Sequence, residues 1–332
     1  MLSKVVSFLV VGMLACCNAF APSQWNSLKS PLSPLQLYFD FKDDPIIIDQ
    51  ARYDELLDWA FDDSSTKPPL QIQPSKIGHG RGLFATKDIK KDSVIFRMKD
   101  SKCLTLENSQ THKTLGEKIG LIAKELGDEE GSIAALAAYL ASEMLREQCA
   151  EWEEDESLKG NYSPYMAILP SGRGVSEQDH VLWWSDAEVE RIFKKGAVLE
   201  KAEALRDWVH DEGGIIMGML VTDLAEQNMG LSMNQVRGAV TNAFVNVLTR
   251  SFFVGEGGKQ RLVPIADMTQ HSQDPNLEIV LESGGQVVVF AKEDISAGEE
   301  MTADYYSSEF EGHEFYVMYG FVTKLTKAAT GA

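Results

Sequence analysis

The stretch at 262–276, LVPIADMTQHSQDPN, joins two patterns that need a common explanation. An apolar run typical of a buried strand ends in the charged residue Asp267, and a short turn then gathers polar side chains. These are Gln270, His271, Ser272 and Asn276. An ordinary polar loop is the default interpretation of such a cluster, and a turn shaped around a ligand is the alternative. Other parts of the sequence have to decide between them.

The chain is long and apolar enough to bury a substantial core, and it is strongly acidic. It has 332 residues, 44% of them hydrophobic, and a net charge of -19 from 31 basic and 50 acidic side chains. An acidic protein repels phosphate backbones and anionic lipids, which argues against nucleic-acid partners and membrane-surface binding. Cys103 and Cys149 lie outside the N-terminal apolar run and lack metal-ligand spacing. We therefore expect two buried thiols and no metal site.

The first 45 residues have the composition of a targeting segment. Residues 1–19 contain one Lys, a short apolar stretch and small residues before the end, which predicts a signal peptide. The stretch is too short for a membrane span, so we expect no stable membrane insertion. Residues 20–45 begin Phe-Ala-Pro and carry no acid before Asp40, which resembles the plastid transit segment of algae with complex plastids. We predict a plastid (chloroplast) protein, with secretion as the alternative.

The hydrophobic pattern changes along the next part of the chain. Residues 46–69 predict an N-terminal helix, with Asp49 as its N-cap, and a linker. Residues 70–109 alternate and break at glycines, as short strands and tight loops do. Between residues 110 and 249 apolar side chains recur every three or four positions, most clearly at 132–148, which predicts helices.

Strand patterns return in residues 250–323. An apolar run at 261–267 predicts one strand, and two alternating runs around Ser-Gly-Gly at 277–291 predict a hairpin. The order of strands, helices and strands indicates one α+β domain with a helical insert rather than two independent domains. Residues 324–332 are the remaining tail.

Three separated motifs resemble, in this order, those of the SET-domain protein methyltransferases. They are GRGLFATKDIKKDSVIF at 80–96, LVPIADMTQHS at 262–272, and GEEMTADYY at 298–306 with FYVMYGF at 315–321. The helical block adds YSPYMAILP at 162–170, VLWWSDAEVERIFKKG at 181–196 and LTRSF at 248–252. These resemble the Rubisco large-subunit methyltransferase branch, whose SET domain carries a helical insert. The resemblance implies a fold of short β-sheets with a pseudoknot-like C-terminal segment.

The resemblance also implies a cofactor, S-adenosyl-L-methionine, and a set of site residues. The positions that match cofactor-binding residues of this branch are His79, Gly80, Arg81, Gly82, Arg250, Gln270, His271 and Phe321. Tyr305 matches the catalytic tyrosine, and Tyr319 matches a second tyrosine that lines the lysine channel. No metal is implied.

Those residue types suit methyl transfer from a sulfonium to a lysine amine. The reaction is an in-line displacement, so the enzyme has mainly to hold nitrogen, methyl and sulfur in register. The amine, with a free pKa of about 10.4, must lose its proton, and an aromatic channel favours the neutral form by excluding water. We therefore predict a protein-lysine N-methyltransferase whose substrate is a plastid protein, either Rubisco or another enzyme.

Two features depart from the branch. Gln270 stands where the family usually has Asn, which displaces the side-chain amide by about one bond length. Only the short segment 322–332 follows Phe321, where the branch continues into a large substrate-binding lobe. The alternatives are a protein-histidine N-methyltransferase, since a neutral imidazole needs less deprotonation, and a non-catalytic SET module that binds a peptide. Cofactor binding and turnover separate the module from the enzymes.

Overall fold

The computed structural model describes residues 50–62, 67–77, 80–154, 156–173, 179–226, 229–254, 259–282, 285–305 and 312–320. Several predictions fall outside these residues: the signal peptide at 1–19, the transit segment at 20–45, the tail at 324–332, the N-cap Asp49, and the site residues His79 and Phe321.

Strands flank a block of helices along the described chain. The helices are α1 (Gln50–Ala60), α2 (Leu106–Gln110), α3 (Gly116–Leu126), α4 (Asp128–Glu153), α5 (Ser163–Met166), α6 (Asp186–Phe193), α7 (Ala197–Glu226), α8 (Met233–Arg250) and α9 (Gly312–Tyr319). The strands are β1 (Leu70–Pro74), β2 (Arg81–Ala85), β3 (Val94–Met98), β4 (Leu104–Thr105), β5 (Ser251–Val254), β6 (Lys259–Leu262), β7 (Gln270–His271), β8 (Leu277–Leu281), β9 (Val287–Ala291) and β10 (Glu300–Ala303).

The strands form three small sheets, ordered β1-β2-β10-β7, β3-β9-β8 and β4-β6-β5. In the first sheet β10 lies antiparallel to β2 and parallel to β7. Thr302 pairs with Gln270, and Met301 pairs with Leu83. The C-terminal strand thus fills the gap between two segments that are far apart in sequence, which is the pseudoknot-like arrangement expected. This sheet makes neighbours of the three motifs.

The helical block supplies much of the core. Helix α4 packs against α3 and α8, and α8 also packs against α7. Ser232 begins α8 in a capping box with Gln235, and the helix ends at Arg250. Cys103 and Cys149 are both buried free thiols, which confirms the prediction that they are buried. No helix among the described residues has the length and apolarity needed to cross a membrane.

The predicted helix at 132–148 and the hairpin at 277–291 are confirmed, whereas the strand at 261–267 is wrong in extent. Strand β6 ends at Leu262, and Ile265 then takes a positive φ of 72° before a 3₁₀ turn at Ala266–Met268. A positive φ is unusual for a β-branched residue and reverses the chain sharply. The run is apolar because the turn itself is buried, not because all of it is a strand.

Candidate functional site

A cleft opens where the end of the helical block meets the first sheet. Its lining residues are Thr249, Arg250, Ser251, Phe252, Asp267, Asp304, Tyr305 and Tyr319. The open space measures about 290 Å³, including solvent at the mouth. Because helical and strand segments both contribute, the cleft depends on how the two are joined.

A buried charged network forms one wall of the cleft. The Asp267 side chain has no exposed surface, and its Oδ2 accepts hydrogen bonds from the Tyr165 hydroxyl at 2.7 Å and from Arg250 Nη1 at 3.3 Å. Arg250 Nη1 also donates to the Asp267 carbonyl oxygen at 3.1 Å. Burial raises the pKa of Asp267, and the Arg250 guanidinium and the Tyr165 hydroxyl oppose that shift. The apolar run therefore ends in an acid because that acid anchors Arg250.

Two atoms of this network have no hydrogen-bond partner among the described residues. They are Oδ1 of Asp267 and Nε of Arg250, both shielded from solvent. The first is an acceptor and the second a donor. Leaving such atoms unsatisfied costs about 1–3 kcal/mol each.

Two tyrosines that line the cleft contact each other. The ring centroids of Tyr305 and Tyr319 lie 5.4 Å apart, and the Tyr319 hydroxyl donates to the Tyr305 carbonyl oxygen at 3.2 Å. The Tyr305 hydroxyl donates to the carbonyl oxygen of Thr269. Burial raises the pKa of Tyr305 to about 12, with Arg250 opposing and Asp267 adding to the shift. The phenol is therefore protonated at neutral pH and acts by hydrogen bonding rather than as a base.

The polar turn after Asp267 is tied to neighbouring backbone. Gln270 Nε2 donates to the Arg81 carbonyl oxygen at 2.6 Å, across to β2. His271 Nδ1 accepts from the Tyr305 amide at 3.2 Å, which requires that nitrogen to be unprotonated. Burial lowers the pKa of His271, while Asp304, 3.7 Å away, opposes the shift. A neutral His271 thus fixes the backbone that carries Tyr305.

Asn276 also connects the turn to neighbouring backbone through its side chain. Its Oδ1 accepts from the Thr302 amide at 2.8 Å, and its Nδ2 donates to the Glu300 carbonyl oxygen at 3.0 Å. The polar cluster at 270–276 is therefore largely structural. Asp267 is the member of the stretch that faces the cleft.

The glycine loop before β2 is shaped by a buried carboxylate. A Cβ on Gly82 would lie 2.2 Å from Oε1 of Glu300. That Oε1 accepts from the Ser75 hydroxyl at 2.6 Å, and Oε2 accepts from the Lys76 amide at 2.8 Å. Gly80, with a φ of 75°, returns the chain toward Ser75. Gly82 is a glycine because a side chain of the same chain occupies the space.

The Arg81 side chain leaves the cleft and packs on the N-terminal helix. Its guanidinium carbon lies 4.9 Å from the ring centroid of Tyr53, and Nη1 donates to the Ile168 carbonyl oxygen at 3.4 Å. Arg81 thereby joins β2 to α1 and to the segment after α5. What it presents toward Gln270 is its backbone carbonyl.

A family model for the SET domain matches residues 80–306, which is more than half of the chain. The protein belongs to the SET-domain family. Among proteins of assigned function it is similar to one from Vanderwaltozyma polyspora named histone-lysine N-methyltransferase SET5, with 22% identity. That similarity covers 87% of this chain and 64% of the yeast protein.

Solved SET-domain structures share the fold. The SET domain of LSMT bound to lysine and AdoHcy has a TM-score of 0.62 at 19% identity, covering 84% of this chain and 58% of that one. Rubisco LSMT bound to AdoMet has a TM-score of 0.61 at 18% identity, covering 82% of this chain and 57% of that one. The chain thus spans less than two thirds of the length of these proteins. A share of 84% extends beyond the strands, so the likeness includes the helical block.

The predicted site residues that the structure describes lie in three places. Arg250, Tyr305 and Tyr319 line the cleft, and Gln270 and His271 support it from behind. Gly80, Arg81 and Gly82 lie across the sheet from Gln270. Residues to which sequence reasoning gave no role are Asp267, Tyr165 and Glu300. The sequence signal that could have identified Asp267 is its position as a charged residue at the end of an apolar run. The described residues contain no group of three or more His, Cys, Asp or Glu side chains that could hold a metal ion.

Proposed function

We propose that this SET-domain protein transfers a methyl group from S-adenosyl-L-methionine to a lysine amine of a protein. The observation that carries the proposal is the pair of unsatisfied buried atoms, Asp267 Oδ1 and Arg250 Nε, in the same cleft as two tyrosines. The yeast relative is named a histone-lysine N-methyltransferase, and the similar LSMT structures hold AdoMet or AdoHcy.

The cleft residues suit the amino-acid end of that cofactor. Its ammonium group is a donor for Asp267 Oδ1, and its carboxylate is an acceptor for Arg250 Nε. Because both atoms are buried, each hydrogen bond forms in a medium of low dielectric constant and is stronger than in water. When bound, the cofactor supplies the methyl group on its sulfonium. This chain's residues hold it and exclude water.

The tyrosines suit the acceptor amine. The Tyr305 phenol oxygen can accept a hydrogen bond from the amine, because a hydroxyl both donates and accepts. Rings of Phe252, Tyr305 and Tyr319 border the cleft and remove water from the amine, which favours its neutral, nucleophilic form. No side chain has to attack, so orientation is the main contribution of the protein.

The acidic chain suits a basic protein substrate, and we propose a plastid protein, Rubisco or another enzyme. A net charge of -19 attracts lysine-rich surfaces over long range. The proposal of plastid localisation is based on the composition of residues 1–45. Fusing that segment to a fluorescent protein in an alga with complex plastids should give plastid fluorescence, whereas secretion of the fusion would refute the address.

Calorimetric titration of the protein with S-adenosyl-L-methionine tests the cofactor site. We expect micromolar binding by the wild type, and a Kd raised on the order of 10- to 100-fold in Arg250→Lys, which keeps the charge and loses Nε. Arg97→Lys is the matched control, because Arg97 pairs with Glu282 on the surface. Absence of binding by the wild type, or equal effects in the two variants, would contradict the proposed site.

Turnover needs a separate measurement. Incubation with a methyl-labelled cofactor and plastid proteins, followed by acid hydrolysis, should yield labelled methyllysine. Labelled methylhistidine would instead identify the histidine enzyme. Cofactor binding without label in any protein would favour the non-catalytic module.

A further inference from the structure

Helix α9 carries Tyr319 to the cleft, and a buried histidine of the helical block contacts its last turn. His180 is fully buried, and its Nε2 lies 3.0 Å from the carbonyl oxygen of Met318, the residue before Tyr319. Its Nδ1 accepts from the Leu182 amide at 3.2 Å. Because Nδ1 is an acceptor, the ring proton lies on Nε2, which donates to Met318.

The residue before His180 contacts the other side of Tyr319. Gly320 has a φ of 77°, and a Cβ there would lie 1.9 Å from the Asp179 carbonyl oxygen. Asp179 is held in turn: its Oδ1 accepts from Trp184 Nε1 at 2.6 Å and lies 3.0 Å from Arg173 Nε. We call residues 179–180 the clamp. It contacts the backbone on both sides of Tyr319.

Apolar packing also holds α9. Val317 is buried against Val181 and Trp184, and the partly buried Tyr316 packs against the same cluster. The hydrophobic contribution of such contacts is non-directional. A hydrogen bond from a fixed imidazole to a carbonyl oxygen is directional, and it acts one residue from Tyr319.

We infer that His180 is a positioning residue for Tyr319, and that its hydrogen bond to the Met318 carbonyl sets how Tyr319 reaches Tyr305 across the cleft. The Tyr319 hydroxyl donates a hydrogen bond of 3.2 Å to the Tyr305 carbonyl oxygen, and the two rings lie 5.4 Å apart. The inference rests on the proposed function. Because the proposed cofactor contacts are made by Arg250 and Asp267 and not by Tyr319, His180 should affect turnover and not cofactor affinity.

Two substitutions at His180 separate its two hydrogen bonds. In His180→Gln the side-chain amide nitrogen can replace Nε2 and keep the bond to Met318. In His180→Asn the shorter side chain can keep the bond to the Leu182 amide, and it loses Met318. If the clamp positions Tyr319, the Asn variant should lose on the order of 10²-fold in kcat, the size expected for a displacement of about 1 Å, while the Gln variant stays within a few-fold of wild type. The Kd for S-adenosyl-L-methionine should stay within about twofold in both.

Hydrogen exchange supplies a readout that is independent of methyl transfer. The Gly320 amide donates to the Tyr316 carbonyl oxygen at 2.8 Å, so its exchange reports the last turn of α9. We expect faster exchange at residues 316–320 in the Asn variant and wild-type exchange in the Gln variant. This result would hold even if the wild type bound no cofactor, in which case the proposed function fails and the clamp stands.

Equal losses of kcat in the two variants, or unchanged exchange in the Asn variant, would overturn the inference. A rise in the cofactor Kd that matches the loss of kcat would also overturn it, because it would indicate general loosening. Should the Asn variant not fold, Arg173→Lys weakens the hold on Asp179 from a partly exposed position and must then lower kcat several-fold with Kd unchanged.

Discussion

The two walls of the cleft are held together in different ways. The strand wall, made of β2, β7 and β10, carries Asp304 and Tyr305 into the cleft at the end of β10. It is fixed by paired backbone and by side chains that bind backbone atoms, such as Gln270 on Arg81 and Asn276 on Thr302. The helix wall, made of Arg250, Asp267 and Tyr165, is fixed by side chains that bind each other. Tyr319 belongs to neither wall. Its backbone is held by the clamp, through the hydrogen bond between His180 and the Met318 carbonyl oxygen.

This difference teaches where substitutions matter. A strand position that acts through its backbone can change its side chain at modest cost, because the ladder remains. A position in a buried charged network cannot, since removal of one partner leaves the other desolvated and unpaired.

The largest effect is expected at Asp267. Asp267→Asn preserves size and removes the charge that pairs with Arg250 in the interior, so the free energy of unfolding should fall by about 3–5 kcal/mol. Urea denaturation monitored by tryptophan fluorescence measures it. Asp294→Asn is the control, because Asp294 pairs with Lys90 on the exposed surface and should leave the midpoint unchanged. Similar losses in both variants would mean that the network does not support the wall.

A second effect is expected at acid pH. Burial lowers the pKa of His180 from 6.5 to about 4, and the Met318 carbonyl opposes the shift. Below pH 6.5 His180 therefore becomes protonated in the unfolded chain but stays neutral in the folded chain. The free energy that its neutral form contributes to folding is fully present above pH 6.5 and is lost as the pH falls toward 4. Between pH 7.5 and 4.5 this single group should cost about 3 kcal/mol.

The His180→Gln variant measures how much His180 contributes to this loss of stability at acid pH. Its unfolding free energy should fall less than that of the wild type over the same pH range. Parallel pH curves for the two proteins would show that His180 is not held neutral in the folded chain.

Much of the strand wall could be predicted from the sequence, because its motifs are contiguous and carry local signals. Alternation and glycine breaks predicted short strands, and the motifs implied small β-sheets with a pseudoknot-like C-terminal segment. The helix wall could not be predicted in the same way. Tyr165 and Asp267 are separated by 102 positions, and a hydrogen bond between such distant residues produces no repeating pattern in the sequence. The buried turn at Ile265 was misinterpreted as strand for a related reason, since burial and strand pairing both select apolar residues.

A third prediction concerns Gly82 on the strand wall. Gly82→Ala would force Glu300 away from Ser75 and Lys76, and overpacking of this kind costs about 1–3 kcal/mol. Gly218→Ala on the open face of α7 is the opposite case, because a Cβ there meets nothing within 4 Å and alanine favours a helix by about 0.5–1 kcal/mol. Thermal unfolding should therefore shift in opposite directions. A neutral Gly82→Ala would mean that the missing Cβ serves something other than Glu300.

The smallest effect is expected at Gln270, the departure from the family pattern. Its amide nitrogen reaches the Arg81 carbonyl oxygen at 2.6 Å, a distance that the shorter Asn side chain cannot span with the backbone unchanged. Gln270→Asn should therefore lose one hydrogen bond and about 1 kcal/mol of unfolding free energy, with the β7–β10 pairing intact. Cofactor affinity should not improve. A gain in affinity on restoring Asn would mean that the family side chain faces the ligand, and that Gln270 had turned away from it to bind β2.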